Sequence, residues 1–211
     1  MTEDQKNITE VINNYVKSGF YSLDDTIEEV FETIEGYTYT DDWVEKTIKA
    51  TYKAHILESK SWTHPTDPEK LKEVFDQLSR EGIMALHNFG WENSDIFPVV
   101  NATLDDLKEN GYEVNLIGCC GYHWQDVEIV LNPQWKSISI VFYSNEEDEI
   151  KEKIEQLKIG NRIFELLKEQ NFDVEWDGTL EKKVSINNFE WLKCYKEEDD
   201  SWDEYTNALW D

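Results

Sequence analysis

The sequence lacks the features that would place the chain in a membrane or outside the cell. No apolar run approaches the roughly 18 residues that a membrane span needs. The start, MTEDQK, has neither the basic nor the apolar region of a signal peptide. Three cysteines, two of them adjacent, do not make a disulfide framework, and free thiols are typical of a reducing compartment. We therefore predict a cytoplasmic protein that does not contact a membrane.

Basic residues are also scarce. The chain carries 20 Lys and Arg against 46 Asp and Glu, which gives a formal net charge of −26. Such a charge repels phosphate backbones unless a local basic patch exists. The densest basic cluster, Lys151, Lys153 and Lys158, is interleaved with Glu152 and Glu155. We therefore expect no direct binding of nucleic acid.

Apolar and aromatic residues, in contrast, are plentiful. Hydrophobic residues make up 39 % of the 211 residues and aromatic residues 13 %. Disordered chains lack these groups because they cannot bury enough apolar surface to offset the entropy of the chain. The sequence is therefore expected to fold, either as one large domain or as a domain with a helical extension.

The first sixty residues have apolar side chains at helical spacing in three successive segments. Gly19 and Gly36 end the first two segments, and Ser22 with Asp25 resembles the start of a capped helix. A third helix is predicted to start near Thr40, with Asp41 favourable in its first turn. Residues 1–61 are therefore predicted to be a helical N-terminal region.

Strand patterns dominate the next part of the chain. Two further helices are predicted there, a first one from about Pro68 to Gly82 and a long one from about Glu146 to Gln170. The pair Asp177-Gly178 predicts a hairpin between two alternating segments. Strands are predicted over 83–89, 112–124, 138–142, 172–176 and 184–186. The pattern predicts an α+β fold for 66–195, a largely antiparallel sheet packed against two further helices, followed by an acidic and aromatic tail, 196–211.

Three segments carry a resemblance to a known family. They are GIMALHNF at 82–89, GYHWQD at 121–126 and VEWDG at 174–178. In their order along 66–195, and in the helical segment before them, the chain resembles an uncharacterised bacterial family of unknown function. The family's members look richer in cysteine at the position where this chain has Gly90-Trp91-Glu92-Asn93. None of the motifs is a catalytic signature, so the resemblance implies the fold and no activity.

Polar side chains near GYHWQD are the candidates for a ligand pocket. On a strand, His123 and Gln125 would share one face and Trp124 and Asp126 the other. His87 could face His123 if their strands are neighbours, and Trp176 could stack on a ligand. The alternative interpretation is structural, with Asp126 capping a short helix or turn. The five candidate residues of the pocket are His87, His123, Gln125, Asp126 and Trp176.

A metal or cofactor is not predicted. Cys119, Cys120 and His123 lie within five residues, but zinc sites use spaced cysteine pairs, and adjacent cysteines on a strand point to opposite faces. The sequence contains no Gly-x-Ser-x-Gly, no phosphate-binding glycine-rich loop and no His-Glu-x-x-His. Whether the protein is an enzyme is left open, and the absence of these motifs favours a protein that is not one.

The C-terminal tail combines acids with aromatic side chains that are typical of protein interfaces. We predict a non-catalytic binding protein, of inhibitor or immunity type, that docks a basic protein partner. The alternative function is an enzyme or small-ligand binder that uses the pocket. The charge is also explained more simply as a solvated surface, and association with further copies of the chain is left open. The tail residues predicted to bind a partner are Glu197, Glu198, Asp199, Asp200, Trp202, Asp203 and Trp210.

Overall fold

A computed structural model of the protein describes residues 1–112 and 115–197. The chain divides into two compact units. In the described ranges the first unit contains Met1–Pro68 together with 191–197, and the second is Glu69–Glu190. None of the helices in these ranges combines the length and the apolar character that a membrane crossing requires.

The first unit is built on three helices, as its apolar spacing predicts. Thr2 caps the first helix, and Gly19 ends it in the left-handed conformation with φ of 68°. Ser22 caps the second helix by accepting a hydrogen bond from the backbone N–H of Asp25. The apolar faces of all three helices contribute fully buried side chains to one core, among them Ile12, Val30 and Ile48. The helices are α1 (Glu3–Ser18), α2 (Leu23–Thr33) and α3 (Asp41–Ser59).

The segment 191–197 packs on these helices although it lies far away in the sequence. The indole of Trp191 donates a hydrogen bond to the carbonyl of Ser18 at 3.0 Å. Its ring also contacts Phe20, with the centroids 5.8 Å apart. Gly19 permits the close approach, because a Cβ at this position would lie 2.5 Å from the Lys193 carbonyl oxygen.

The second unit is a five-stranded sheet with helices. The order of its strands is β1-β2-β3-β5-β4. β1 and β2 are parallel, with Leu86 opposite Gly121, and the other neighbouring strands are antiparallel. The strands are β1 (Ile83–Leu86), β2 (Gly118–Gly121), β3 (Ile138–Ser144), β4 (Asp173–Glu175) and β5 (Val184–Asn187). The helices are α4 (Asp67–Arg80), α5 (Ile96–Glu109), α6 (Trp124–Leu131) and α7 (Glu149–Glu169), with a short 3-10 helix at Asn93–Asp95.

Apolar side chains of the sheet form the core of the second unit. Met84 and Cys119 pack with Ile96 of α5 in one buried cluster. Gly160 lets α7 approach the sheet closely, because a Cβ there would lie 2.8 Å from the Trp176 ring. The cysteines of β2, Cys119 and Cys120, are both buried as free thiols.

The α+β fold with a mostly antiparallel sheet is confirmed, whereas the predicted extent of one strand is wrong. The strand predicted over 112–124 is only Gly118–Gly121 where the structure describes this segment, and α6 begins at Trp124. Gln125 and Asp126 therefore lie on a helix and not on a strand. A further helix, α5, begins at Ile96, and Pro98 fits there because the first helical turn needs no N–H from it.

Candidate functional site

His123 and Asp126 lie together at the N-terminus of α6. The backbone N–H of His123 donates to Oδ2 of Asp126 at 3.3 Å. The Nδ1 atom of His123 lies 3.3 Å from the backbone nitrogen of Asp126 and 3.2 Å from its Oδ2. Both residues are buried. This is the geometry of a capping box, which satisfies backbone N–H groups that the first helical turn leaves without partners.

A third side chain, which the sequence did not single out, joins this pair. Nζ of Lys183 lies 3.4 Å from Nε2 of His123 and 3.6 Å from Oδ2 of Asp126. The backbone N–H of Asp126 donates to Nδ1, so a neutral His123 carries its proton on Nε2 and does not accept a hydrogen bond from the ammonium group there. Lys183 therefore acts on the pair through its positive charge, close to both of its members.

The electrostatics of the pair follow from burial. Burial, reinforced by the positive charge of Lys183, holds the pKa of His123 below its ordinary value against the opposing effect of Asp126. Burial also raises the pKa of Asp126, against the lowering effects of Lys183 and His123. Both shifts disfavour the charged forms, as expected for groups withdrawn from water.

His87 does not face His123. The parallel register that pairs Leu86 with Gly121 places His87 beside Tyr122 instead. Nδ1 of His87 lies 2.8 Å from the Tyr122 hydroxyl, and its ring packs on Phe75 with the centroids 4.5 Å apart. These contacts explain His87 as a partly buried structural side chain.

The remaining two pocket candidates lie in other environments. Gln125 is exposed on α6. The Trp176 ring packs edge-on against Phe142 at 5.7 Å, and its indole N–H contacts the carbonyl oxygens of Thr179 and Lys182 at 3.0 and 3.2 Å. The ligand pocket therefore stays a prediction, and the contacts of His123 and Asp126 match its structural alternative.

A cavity of about 260 Å³ lies between α4 and α7. None of the five pocket candidates lines it. Arg162, on its wall, donates two hydrogen bonds to Glu81, at 2.6 and 2.7 Å, and Gln170 donates one to Glu73 at 3.1 Å. Two polar side chains of its wall, Arg162 and Gln170, are thus engaged with carboxylates.

The strongest charge feature of the described chain lies on α2 and in the turn after it. Residues 18–45 contain nine acids and no Lys, Arg or His. Six of these acids, which we call the α2 acids, form no ion pair in the described ranges. They are Asp24, Asp25, Glu28, Glu29, Glu32 and Glu35. The excess of acids was predicted from the composition, whereas their segregation was not, although the absence of any base over 28 residues could have revealed it.

The predicted partner-binding tail lies mostly outside the described residues. This applies to Glu198, Asp199, Asp200, Trp202, Asp203 and Trp210. Glu197 is described and is exposed. Within residues 1–112 and 115–197, no three His, Cys, Asp or Glu side chains are grouped so that they could hold a metal ion.

Comparison with known proteins assigns the chain to a family. Neither a curated protein sequence nor a solved structure matches it. The family model described as Domain of unknown function (DUF6891) matches residues 1–195. The chain therefore belongs to the DUF6891 family, as the resemblance to a family of unknown function predicts.

Proposed function

We propose that this protein is a non-catalytic binding protein that docks a basic protein partner, and that the α2 acids form part of the docking surface. The observation that carries the proposal is the segregation of six acids on one helix and its following turn without a basic partner in the described ranges. The same proposal assigns a contributing role to the tail residues from Glu197 onward.

The α2 acids repel one another in the free protein. Glu28 follows Asp24 by four residues and precedes Glu32 by four, and like charges at this spacing destabilise a helix by about 0.2–0.5 kcal/mol per pair. Burial and the charges of Glu32, Glu28 and Asp25 raise the pKa of Glu29. A partner that presents Lys or Arg to this helix would relieve the repulsion between the acids. The free energy of binding would therefore become more favourable.

The neighbouring helix α3 shows a different arrangement. Two of its four acids are paired with lysines one turn away, Asp42 with Lys46 at 2.7 Å and Glu45 with Lys49 at 2.8 Å. Solubility alone is served equally well by either arrangement. The unpaired acids of α2 therefore support a specific use of the charge.

An aromatic side chain flanks the α2 acids. Tyr37 lies in the turn after α2 and is 39 % exposed. Tyrosine is enriched where protein interfaces carry most of their binding energy, because it buries a large area with few rotatable bonds. Tyr37 is therefore proposed as an apolar anchor beside the acidic face.

Affinity capture with matched charge variants tests the proposal. The full chain is immobilised and exposed at low and high salt to a lysate of the cell that makes it. One variant neutralises α2 (Asp24→Asn, Glu28→Gln, Glu32→Gln), and the control neutralises three acids of α3 (Asp42→Asn, Glu45→Gln, Glu58→Gln). Both variants change the net charge by the same amount, so only the position of the charges differs. We expect the wild type and the control to retain a basic protein at low salt, and the α2 variant to lose it.

A further variant that ends at Glu197 measures the contribution of the tail. Loss of the captured protein in this variant alone would assign docking to the tail instead of α2. Equal weakening in both charge variants would reduce the proposal to net charge, and no basic protein retained at low salt would contradict it. The alternative function, a ligand or catalytic site at the predicted pocket, has no specific observation in its favour.

A further inference from the structure

Helix α7 presents apolar side chains to solvent, opposite the face that packs on the sheet. Its buried face includes Ile163 and Leu167. On the opposite face, Ile150 is 75 % exposed and Ile154 is 51 % exposed. These two side chains are neighbours on the helix surface because they lie four residues apart, and the half-buried Leu157 continues the row. We call Ile150, Ile154 and Leu157 the α7 stripe.

Lysines border the α7 stripe on both sides. Since an α-helix rotates by about 100° per residue, Lys153 lies on one side of the stripe, and Lys151 and Lys158 lie on the other. All of these lysines are exposed. Lys151 and Lys153 form no ion pair in the described ranges, whereas Lys158 pairs with Glu155 at 2.5 Å. The border therefore has positive charge that the described chain leaves available.

The acids that alternate with these lysines in the sequence lie elsewhere on the helix. The rotation of the helix turns Glu152 and Glu155 away from the stripe and toward the face that packs on the sheet, and both side chains are half-buried. The lysine cluster of 151–158 is thus interleaved with acids along the sequence but not on the solvent face of α7. An exposed apolar row with a basic border fits an occupant that is apolar at its centre and acidic at its edges.

The chain itself contains a segment with this chemistry. Residues 198–211 carry six acids and no Lys, Arg or His. Trp202, Tyr205 and Leu209 recur at the spacing i, i+3 and i+7, the spacing of apolar anchors that bind an apolar groove or row. The segment follows directly on Glu197, the last described residue, so it is tethered to the protein that carries the stripe.

A membrane surface is the other occupant that fits an apolar row between lysines, because helices of this kind lie on anionic membranes. The net charge of −26 opposes the approach of this chain to such a surface. A segment of the same chain needs no approach, because a short tether holds it at an effective concentration on the order of mM. The charge of the protein therefore favours the segment over the membrane.

We propose that the α7 stripe is the docking surface for residues 198–211 of the same chain. The apolar side chains of the segment cover Ile150 and Ile154, and its acids face the lysines of the border. Burial of the two isoleucines drives the contact, and the charges fix its place on α7. The proposal is independent of the α2 acids and does not rest on the capture of a basic partner.

Methyl NMR of the full chain with isotope-labelled isoleucine tests the proposal. We expect the methyl resonances of Ile150 and Ile154 to differ between the full chain and a variant that ends at Glu197, because an aromatic ring shifts the resonances of the methyl groups that it covers. Trp202→Ala in the full chain should move both resonances toward their positions in the shortened variant. Ile56, an exposed isoleucine of α3, is the internal control and should keep its position.

Matched charge variants of the full chain test the role of the border. One variant removes its lysines (Lys151→Gln, Lys153→Gln, Lys158→Gln), and the control removes three exposed lysines of α3 (Lys46→Gln, Lys49→Gln, Lys53→Gln). Both variants change the net charge by the same amount. We expect the first variant to lower the equilibrium constant for docking, measured from the methyl shifts, by about fivefold, as for the loss of three exposed ion pairs. The control should leave this constant unchanged.

Circular dichroism shows that each variant is folded. Identical resonances of Ile150 and Ile154 in the full chain and in the shortened variant would overturn the proposal, and so would equal weakening of docking in the two charge variants. A difference that grows with protein concentration would contradict docking within one chain and assign the stripe to the segment of a second copy. Binding of the full chain to vesicles of phosphatidylserine and phosphatidylcholine, lost in the variant without the border lysines, would assign the stripe to a membrane instead.

Discussion

Two buried histidines, one in each unit, are held in opposite ways. His123 contacts Asp126, three residues further along the chain, and its pKa is lowered, chiefly by burial. His55 contacts the carbonyl of Lys193, 138 residues away, and its pKa is raised although burial opposes this. Burial by itself favours the neutral imidazole in both places. At His123 burial prevails over the opposing charge of Asp126, whereas at His55 the interactions with Cys194 and the Lys193 carbonyl outweigh burial.

Removal of the carboxylate next to His123 should have the largest effect on stability. Asp126→Ala breaks the cap of α6 and leaves Lys183 and His123 without their buried acceptor. We expect the free energy of unfolding to fall by about 2–3 kcal/mol, as for the loss of a helix cap combined with part of a buried charge pair. Urea denaturation measures the change.

Gln125→Ala is the matched control for this substitution. It alters the neighbouring residue, which is exposed on the same helical turn, and should change stability by less than about 0.5 kcal/mol. If Asp126→Ala lowers the free energy of unfolding no more than Gln125→Ala does, the contacts between Asp126 and His123 do not stabilise the fold.

The corresponding substitution at the other histidine should cost less. His55→Ala removes the hydrogen bond to the Lys193 carbonyl and the edge-on contact with the Trp62 ring, whose centroid lies 5.4 Å away. We expect a loss of about 1–2 kcal/mol, as for the loss of one hydrogen bond of a buried group. Urea denaturation with Lys53→Ala, an exposed position of the same helix, as control measures the loss. Equal stabilities of the two variants would contradict the prediction.

The two sites also differ in how far the sequence predicts them. A helix cap joins residues that are three positions apart, so it can be recognised from the sequence. The cap of Ser22 with Asp25 was predicted in this way, and so was the alternative interpretation of Asp126 as a capping residue. The contact of Lys183 with His123 spans 60 residues and depends on β5 lying beside β3. The contact of His55 with the Lys193 carbonyl depends on the return of 191–197 to the N-terminal helices, and no local pattern encodes that return.

Sheet topology sets the same limit on the pocket prediction. The alternation of residues predicted β3, and the hairpin signal of Asp177-Gly178 predicted the pairing of β4 with β5. The parallel pairing of β1 with β2 places His87 beside Tyr122, one residue away from the predicted partner. A shift of one residue changes the face of a strand, so the pattern identified the segments but not the contacts of their side chains.

The opposite pKa shifts predict opposite titrations. In proton NMR spectra, we expect the midpoint of His55 to lie above that of the unfolded protein in urea, and the midpoint of His123 to lie below it. His55→Gln and His123→Gln assign the resonances. If both midpoints lie on the same side of the midpoint of the unfolded protein, the two histidines do not have opposite pKa shifts.

The same shifts fix the sign of each contribution to stability. The contribution of His55 is fully present below the unfolded pKa of about 6.5 and is lost as the pH rises through the higher folded value. The contribution of His123 is present above the unfolded pKa and is lost as the pH falls from there through the lower folded value. Acidification from neutral pH therefore favours the fold at His55 and disfavours it at His123.

The smallest expected effect isolates the charge that distinguishes the two sites. Lys183→Met keeps the length of the side chain and removes the ammonium that faces Nε2 of His123. The pKa of His123 should rise, because one of the causes that hold it down is lost while Asp126 still favours the protonated imidazole. Stability should change by less than about 1 kcal/mol, since the Lys183 side chain is partly exposed.

Lys182→Met is the control, because Lys182 lies 3.6 Å from Asp177 instead. Its removal should leave the pKa of His123 unchanged. If the pKa of His123 is the same in both variants, Lys183 does not contribute to it. The lysine then does not account for the contrast with His55.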